Sequence, residues 1–221
     1  MKENSAVSVM HKLKGDIVKG HYEPGQKLVM AKLKSRYGIG VGPLREALSL
    51  LVGDGLVAVQ DQRGYRVSDI SIDDMCDIYE TRARIEGLCL NLSIKNGDDD
   101  WEGRILGQAH NLFKLKDTSE AQGRVDINEW DRRHDLFHSE LVSNCGLDHL
   151  LHLRHTLRDK ALRYKRIWLN ANVTSDYLFK ENFLEHQELV DLSLKRNYKS
   201  AQKLIFNHLM VPVAIIKKSL R

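Results

Sequence analysis

The sequence predicts a mainly α-helical protein in two parts, a small module of three helices and a β-hairpin followed by a bundle of six or seven helices. Three observations support this prediction. Apolar residues recur at helical spacing over most of the chain after residue 70. Prolines occur only at Pro24, Pro43 and Pro212, and a proline inside a helix costs about 3 kcal/mol, so the long stretch without proline permits long helices. Patterns typical of strands are confined to residues 56–67.

The charge is distributed unevenly along the chain. The 221 residues include 34 Lys and Arg and 30 Asp and Glu, and the whole excess lies in residues 1–70, which hold 11 Lys and Arg against 7 Asp and Glu. An excess of four charges is within the ordinary range for a soluble domain, but its concentration in one part indicates a polyanionic partner. Three cysteines without CxxC spacing argue against a disulfide framework. No apolar run approaches the roughly 20 residues that cross a bilayer, so we expect a cytoplasmic protein with no membrane partner.

The first part contains three short helical patterns. The first helix ends at Gly20, and the second runs from about Met30 to Tyr37. Gly38 is placed to close that second helix in the left-handed conformation. Pro43 suits the first position of the third helix, whose leucines recur on one face.

Two short strands, Leu56–Gln60 and Tyr65–Val67, follow the third helix and form a hairpin. Three helices and a hairpin, with a tight turn before the third helix, are a winged helix-turn-helix, whose third helix enters the major groove of double-stranded DNA. Arg45, in the first turn of that helix, is the residue that we expect to reach a base edge; an ion pair with Asp54 is the alternative. Further DNA contacts are expected from Lys32, Lys34 and Arg36 on the second helix, and from Gln62, Arg63 and Tyr65 in the hairpin.

The second part starts with a helix N-terminal signal. Ser71 and Asp74 have the spacing of a capping box, which predicts a helix from there to about Lys95. Asn96-Gly97 then stops it. The chain therefore divides into a DNA-binding domain, residues 1–70, and a helical domain, residues 71–221.

Histidines in the second part suggest a metal site. His134 and His138 are one helical turn apart, so both imidazoles leave the same face of a helix, and neutral imidazole is a good ligand for Zn, Ni, Cu or Fe. His149, His152 and His155 form a rival set, although their spacing drifts around the helix. A partly exposed histidine pair without metal is the alternative to both.

Several runs in the first part occur together in one order, namely Glu23–Leu28, Tyr37–Ile39, Pro43–Leu48, Gly53–Val57 and Gly64–Val67. They resemble the winged-helix signature of the GntR family of bacterial transcription regulators. The sequence departs from this family at Gly40, Val41 and Gly42, where Ser or Thr, Arg and Thr are usual. Arg45 therefore carries more of the recognition, and Gly42 lets the backbone approach phosphate closely.

Four runs in the second part, Glu80–Leu88, Trp130–His138, Glu185–Gln187 and His208-Leu209, resemble the FCD effector domain of the FadR-type branch of that family. The resemblance implies an antiparallel bundle of six or seven helices that carries a metal over a central cavity. Carried over by position, the metal ligands are His134, His138, His186 and His208. The family more often has Asp at the first position, and four neutral imidazoles favour Zn²⁺ or Ni²⁺ as the divalent metal. Cavity-lining polar residues without metal are the alternative.

Arg82 interrupts an apolar stripe of the first bundle helix, four residues before Glu86. A charge that faces a core is costly unless it is paired, so Arg82 either pairs with Glu86 or faces the cavity and binds an anion. The family resemblance implies a small carboxylate in that cavity, and Arg163, Tyr164 and Arg166 are further candidates to bind it. Two cationic anchors would suit a dicarboxylate such as glutarate.

The function predicted from these features is a ligand-responsive repressor. One winged-helix module reads too few base pairs to define an address in a genome, whereas a homodimer reads a palindromic operator. A metal-responsive regulator with the same architecture is one alternative. A metal-dependent helical enzyme is another, but four histidine ligands leave few open positions, and the basic module would have no role. We therefore expect no enzymatic activity.

Overall fold

The computed structural model describes residues 5–60, 64–122, 126–172 and 176–219, with the side chains at 116–122, 127, 165–172, 176–180 and 219 left undescribed. Within these residues the chain is mainly helical, as predicted. The elements are α1 Ala6–Val18, β1 Lys27–Leu28, α2 Met30–Tyr37, α3 Val41–Gly53, β2 Val57–Gln60, β3 Gly64–Val67, α4 Ile72–Asn96, α5 Asp99–Gln122, α6 Ile127–Leu141, α7 Asp148–Asn172, α8 Asp176–Leu194 and α9 Tyr198–Ser219. None of these helices is both long enough and apolar enough to span a bilayer.

The elements group into two compact units. The first contains the residues up to Tyr79 together with His155–Ala171 and the residues from Val213 onward, and the second contains Glu80–Arg154 and Asn172–Pro212. Helices α4, α7 and α9 therefore contribute residues to both units.

The first unit contains the predicted hairpin and one strand more than expected. β2 and β3 pair antiparallel, with Val59 opposite Tyr65, and β1 adds to the other edge of β3, with Leu28 opposite Tyr65. The sheet order is β1-β3-β2. The sequence does not predict β1, because a strand of two residues is too short to show an alternation of apolar and polar side chains.

The helices of the first unit enclose a small apolar core. Val9 and Leu13 from α1, Leu33 from α2, and Leu44, Ala47, Leu48 and Leu51 from α3 are almost fully buried. Gly38 closes α2 with φ of 62°, a left-handed conformation that favours glycine. Helix α3 begins at Val41, two residues before the expected start. Pro43 is tolerated there because the first turn of a helix has no intrahelical partner for its N–H groups.

Helix α4 begins and ends where the sequence predicts. The Oγ of Ser71 accepts a hydrogen bond of 3.3 Å from the N–H of Asp74, and the helix ends at Asn96. The indole of Trp101 lies against Gly97 and would clash with a Cβ at that position. Trp101 is fully buried, so the turn between α4 and α5 is part of the core of the second unit.

Candidate functional site

The exposed face of α3 presents the residue predicted to read DNA. Four residues of α3 face the core, whereas Arg45 in its first turn is exposed. The alternative partner, Asp54, accepts a hydrogen bond of 3.0 Å from the Nζ of Lys14 instead. Within the part of the chain that the structure describes, Arg45 makes no ion pair. Gly42, on the same turn, is exposed, and no atom lies within 4 Å of the place where a Cβ would be.

The three cations of α2 differ in how they are held. Lys32 and Lys34 are exposed. The guanidinium of Arg36 instead binds the carboxylate of Asp16 at 2.9 Å, and the Tyr37 hydroxyl donates to the same carboxylate at 2.6 Å. Burial raises the pKa of Asp16, but Tyr37 and Arg36 outweigh burial and lower it below its usual value. Arg36 is therefore anchored to α1, which limits its reach.

Of the three hairpin residues predicted to contact DNA, one lies among the described residues. Tyr65 is half-buried in β3, the central strand of the sheet. Gln62 and Arg63 lie outside the described residues, so their predicted contacts with DNA stay predictions.

The four histidines named by the family resemblance lie together in the second unit. His134 and His138 are on α6, His186 on α8 and His208 on α9. One potential ligand atom of each lies within 4.8 Å of those of the others. The rival histidines, His149, His152 and His155, are exposed.

Three of the four histidines are buried, and the two most buried rings, His138 and His186, are neutral. His138 and His186 are fully enclosed, and His208 is 5% exposed. Burial, followed by the neighbouring imidazoles and Arg82, lowers the pKa of His138 well below its usual value. Burial and His208 do the same for the pKa of His186. Both rings are therefore in the deprotonated form that coordinates metals at neutral pH.

The geometry of the cluster fits a metal ion. The Nε2 atoms of His138 and His186 are 3.0 Å apart, close to the separation of about 3.3 Å between two nitrogens bound to one tetrahedral zinc at about 2.0 Å. The Nδ1 of His208 lies 2.7 Å from a carboxylate oxygen of Glu185. Such a carboxylate fixes the tautomer of a ligating ring and leaves its other nitrogen for the metal.

Sequence reasoning did not identify Glu185 as a partner of the cluster. The residue precedes His186 in the chain, but it binds His208 on a different helix, so only the packing of α8 against α9 reveals its role.

A buried ionic group lies in the same unit as the cluster. Arg82 is 15% exposed, and its Nε lies 4.0 Å from an oxygen of Glu86, whose side chain is 1% exposed. The close partner of Glu86 is Arg154 on α7, at 2.7 Å and also 1% exposed. Neither the Nε of Arg82 nor the Oε2 of Glu86 has a hydrogen-bond partner among the described residues.

Sequence reasoning missed Arg154, although a signal exists. Arg154 precedes the buried residues Leu157, Ala161 and Tyr164 by three, seven and ten positions, so it is a cation on an apolar stripe. The same signal marked Arg82.

The other predicted effector residues lie in the first unit. The carboxylate of Asp74 accepts from the Arg163 guanidinium at 2.6 Å and from the Tyr164 hydroxyl at 2.5 Å. Burial and the bond to Asp74 raise the pKa of Tyr164 to about 12. Both side chains therefore have partners at the start of α4. The side chain of Arg166 is not among those described.

Comparison with known families explains this combination of an exposed basic helix face and a histidine cluster. Residues 5–67 match the model of bacterial regulatory proteins of the gntR family, and residues 77–210 match the FCD domain. The chain belongs to the GntR family. Its FCD domain carries the four histidines and the Arg82–Glu86–Arg154 group.

Relatives and solved structures agree with that assignment. The GntR chain is 42% identical to the HTH-type transcriptional repressor GlaR of Escherichia coli K12 over 94% of both chains. It is 32% identical to the regulator BphR of Paraburkholderia xenovorans, over 96% of this chain and 84% of BphR. McbR/YncC of E. coli shares the fold, with a TM-score of 0.81 at 16% identity over 98% of both chains. The protein is thus a DNA-binding transcription regulator, homologous to a repressor, and not an enzyme.

Proposed function

We propose that the chain is a homodimeric repressor that a small carboxylate releases from its operator, and that the carboxylate binds between a metal ion and Arg82. The convergence of four imidazoles in the unit that holds Arg82 gives this proposal its main support. The positive charge of Arg82 is among the causes that lower the pKa of His138, which indicates that the guanidinium lies near the cluster.

The residues favour zinc or nickel as the divalent metal. All four ligands are neutral imidazoles, which suit Zn²⁺ and Ni²⁺ better than Mg²⁺ or Mn²⁺. When bound, such an ion supplies a Lewis-acidic centre that accepts a carboxylate oxygen of the effector. Glu185 holds the ring of His208 in the orientation that ligation needs.

The charge of the site favours an effector with two carboxylates. Four neutral ligands leave the double charge of the metal uncompensated, and Arg82 adds a further positive charge with a buried nitrogen that has no partner among the described residues. A short dicarboxylate such as glutarate would meet both. The resemblance of the motifs to the carbon-starvation-induced regulator of the glutarate and 4-aminobutyrate operon supports the same effector.

The DNA partner is a palindromic operator in the bacterial cytoplasm. Arg45 is exposed in the first turn of α3, where a bidentate contact to guanine discriminates between bases by about 1–3 kcal/mol. Lys32 and Lys34 supply phosphate contacts. Effector binding releases DNA to the extent that the effector prefers the conformation with the wrong half-site spacing.

Thermal unfolding against a panel of organic acids tests the effector. The zinc-loaded protein is expected to gain stability with glutarate and other short dicarboxylates and to gain less with monocarboxylates. A chelator should remove the gain. Equal stabilisation with and without chelator would contradict a metal-bound effector.

A metal-responsive regulator is the second candidate, because a shell of four histidines needs no further ligand to complete a tetrahedral site. The two candidates differ in what releases the operator. Titration of a protein–operator complex with zinc alone would release DNA in the second case. Zinc and glutarate together would be required in the first.

A further inference from the structure

The pairing of Glu86 differs from what its spacing in α4 leads one to expect. Arg82 and Glu86 are four residues apart, the separation at which an arginine and a glutamate commonly pair on one helix. Their Nε and Oε2 atoms are nevertheless 4.0 Å apart, beyond hydrogen-bond distance. Glu86 instead accepts a bond of 2.7 Å from Arg154 of α7. The carboxylate of Glu86 therefore has two cationic neighbours, and it is hydrogen-bonded to Arg154, the one that is farther away in the sequence.

Arg154 is held firmly in this arrangement. The nitrogen that binds Glu86 also lies 3.2 Å from the carbonyl oxygen of His138, so one guanidinium joins Glu86 to the main chain of the helix that carries two of the four histidines. Burial lowers the pKa of Arg154, but Glu86 and Asp135 outweigh burial and raise it. Arg154 therefore stays charged and hydrogen-bonded to Glu86.

We propose that Arg154 is a positioning residue that withholds Glu86 from Arg82 and so keeps the Arg82 guanidinium available to the carboxylate of the effector. This inference rests on the proposed function. A buried nitrogen and a buried carboxylate oxygen without hydrogen-bond partners are costly, and the effector would relieve the cost at Arg82.

The proposal predicts opposite results for the two members of the pair. Without Arg154, Glu86 loses its close cation, and a shift of about 1 Å gives it a direct bond to Arg82 in its place. The effector must then displace an internal ion pair. Without the charge of Glu86, Arg82 has no ion-pair partner left among the described side chains. A residue that merely stabilises the fold would weaken effector binding in both cases.

Calorimetry with the zinc-loaded full chain and glutarate as the probe tests this prediction. The R154M variant is expected to bind glutarate at least 10-fold more weakly than the wild type, E86Q equally or more tightly, and R154M/E86Q within about threefold of the wild type. R104M removes an exposed arginine paired with Glu140 at 2.8 Å and should change nothing. Wild-type affinity in R154M, weaker binding by E86Q, or failure of E86Q to rescue R154M would overturn the proposal.

A second measurement separates this inference from the identity of the effector. If the wild type does not bind glutarate, the proposed effector is wrong, but a crystal structure of R154M without effector still tests the pairing. A distance of about 3 Å between Arg82 Nε and Glu86 supports the proposal, and a distance that stays at 4 Å or more overturns it. R154Q keeps a donor for the His138 carbonyl without the charge, and it replaces R154M in both measurements if R154M does not fold.

Discussion

The two units of this protein use their cations and imidazoles in opposite ways. In the first unit Lys32, Lys34 and Arg45 are exposed, so they remain hydrated and available to a polyanion at little cost. In the second unit His138 and His186 are fully buried, and Glu86 and Arg154 are 1% exposed. A polar group removed from water must find a partner or lose its charge. The function of the exposed basic surface therefore depends on which residues are present, and that of the interior site depends on how they pair.

This difference has consequences for substitutions. An exposed side chain can be removed with little effect on folding, so removal of Lys32, Lys34 or Arg45 should affect DNA binding alone. A buried ligand or ion-pair member affects metal binding, stability and effector affinity together. Three substitutions and a change of pH test this division, from the largest expected effect to the smallest.

Arg45→Ala should abolish operator binding and leave the helical domain intact. The proposed homodimer would lose two base contacts of about 1–3 kcal/mol each, which corresponds to a loss of at least 30-fold in affinity. Fluorescence anisotropy on an operator selected by the wild-type protein measures this loss. The control is Arg84→Ala, which removes an exposed arginine of the second unit that is paired with Glu80. Undiminished affinity would show that α3 does not read DNA through Arg45.

His138→Ala should reduce both metal content and thermal stability. Loss of one of four ligands weakens the site, and metal present at about 100 times its dissociation constant stabilises a protein by about 2.7 kcal/mol. For a chain of this size that corresponds to a fall of about 5–10 °C in Tm. Elemental analysis and thermal unfolding measure the two effects. His149→Ala, an exposed histidine, is the matched control, and unchanged metal content in His138→Ala would remove His138 from the shell.

Acid should destabilise the metal-free protein through the buried histidines. Burial lowers the pKa of His138 and His186 in the folded chain, so below about pH 6.5 the unfolded chain binds more protons than the folded one. The stability is complete above that pH and falls by up to about 1.4 kcal/mol per pH unit for each ring below it.

Unfolding in denaturant between pH 7.5 and 5.5, after chelation, measures the acid effect. His138→Gln should lose about half of the slope, whereas His149→Ala should keep it. A flat profile in the wild type would mean that these rings bind protons as readily in the folded chain as in the unfolded one, which contradicts a buried, neutral histidine cluster.

Local signals in the sequence predicted most of the first unit. The left-handed closure of α2 at Gly38 and the N-cap at Ser71 each depend on a few adjacent residues, and the structure contains both. The reciprocal bond of a capping box is replaced, since the N–H of Ser71 donates to the hydroxyl of Tyr164. β1 was not predicted, because two residues are too few to show the two-residue periodicity of a strand. Helix α3 starts two residues before the position predicted from Pro43, because proline is tolerated throughout the first turn of a helix.

The interior site could be predicted only in part. The spacing of His134 and His138 shows that they share a face, but nothing along the chain brings His186 and His208 to that face. The family resemblance supplied those two residues. The partner of Arg154 could not be predicted. An arginine on an apolar stripe must be paired, but its position in the sequence does not show which residue pairs with it. Partners of buried charges are set by tertiary packing, which a single sequence does not contain.

The smallest change in stability is expected from a substitution at Ser71, the N-cap of α4. Ser71→Ala removes the hydrogen bond from the Oγ to the N–H of Asp74, and loss of such a cap costs about 1 kcal/mol. Metal content should not change, because the cap belongs to the first unit and the histidines to the second. Unfolding in denaturant measures the stability, and elemental analysis measures the metal content.

Ser35→Ala removes an exposed serine inside α2 and is the control for helix propensity. It should be neutral or slightly stabilising. A loss of metal in Ser71→Ala would show that the interior site responds to a change outside its own unit, and the division between the two units would then have to be abandoned.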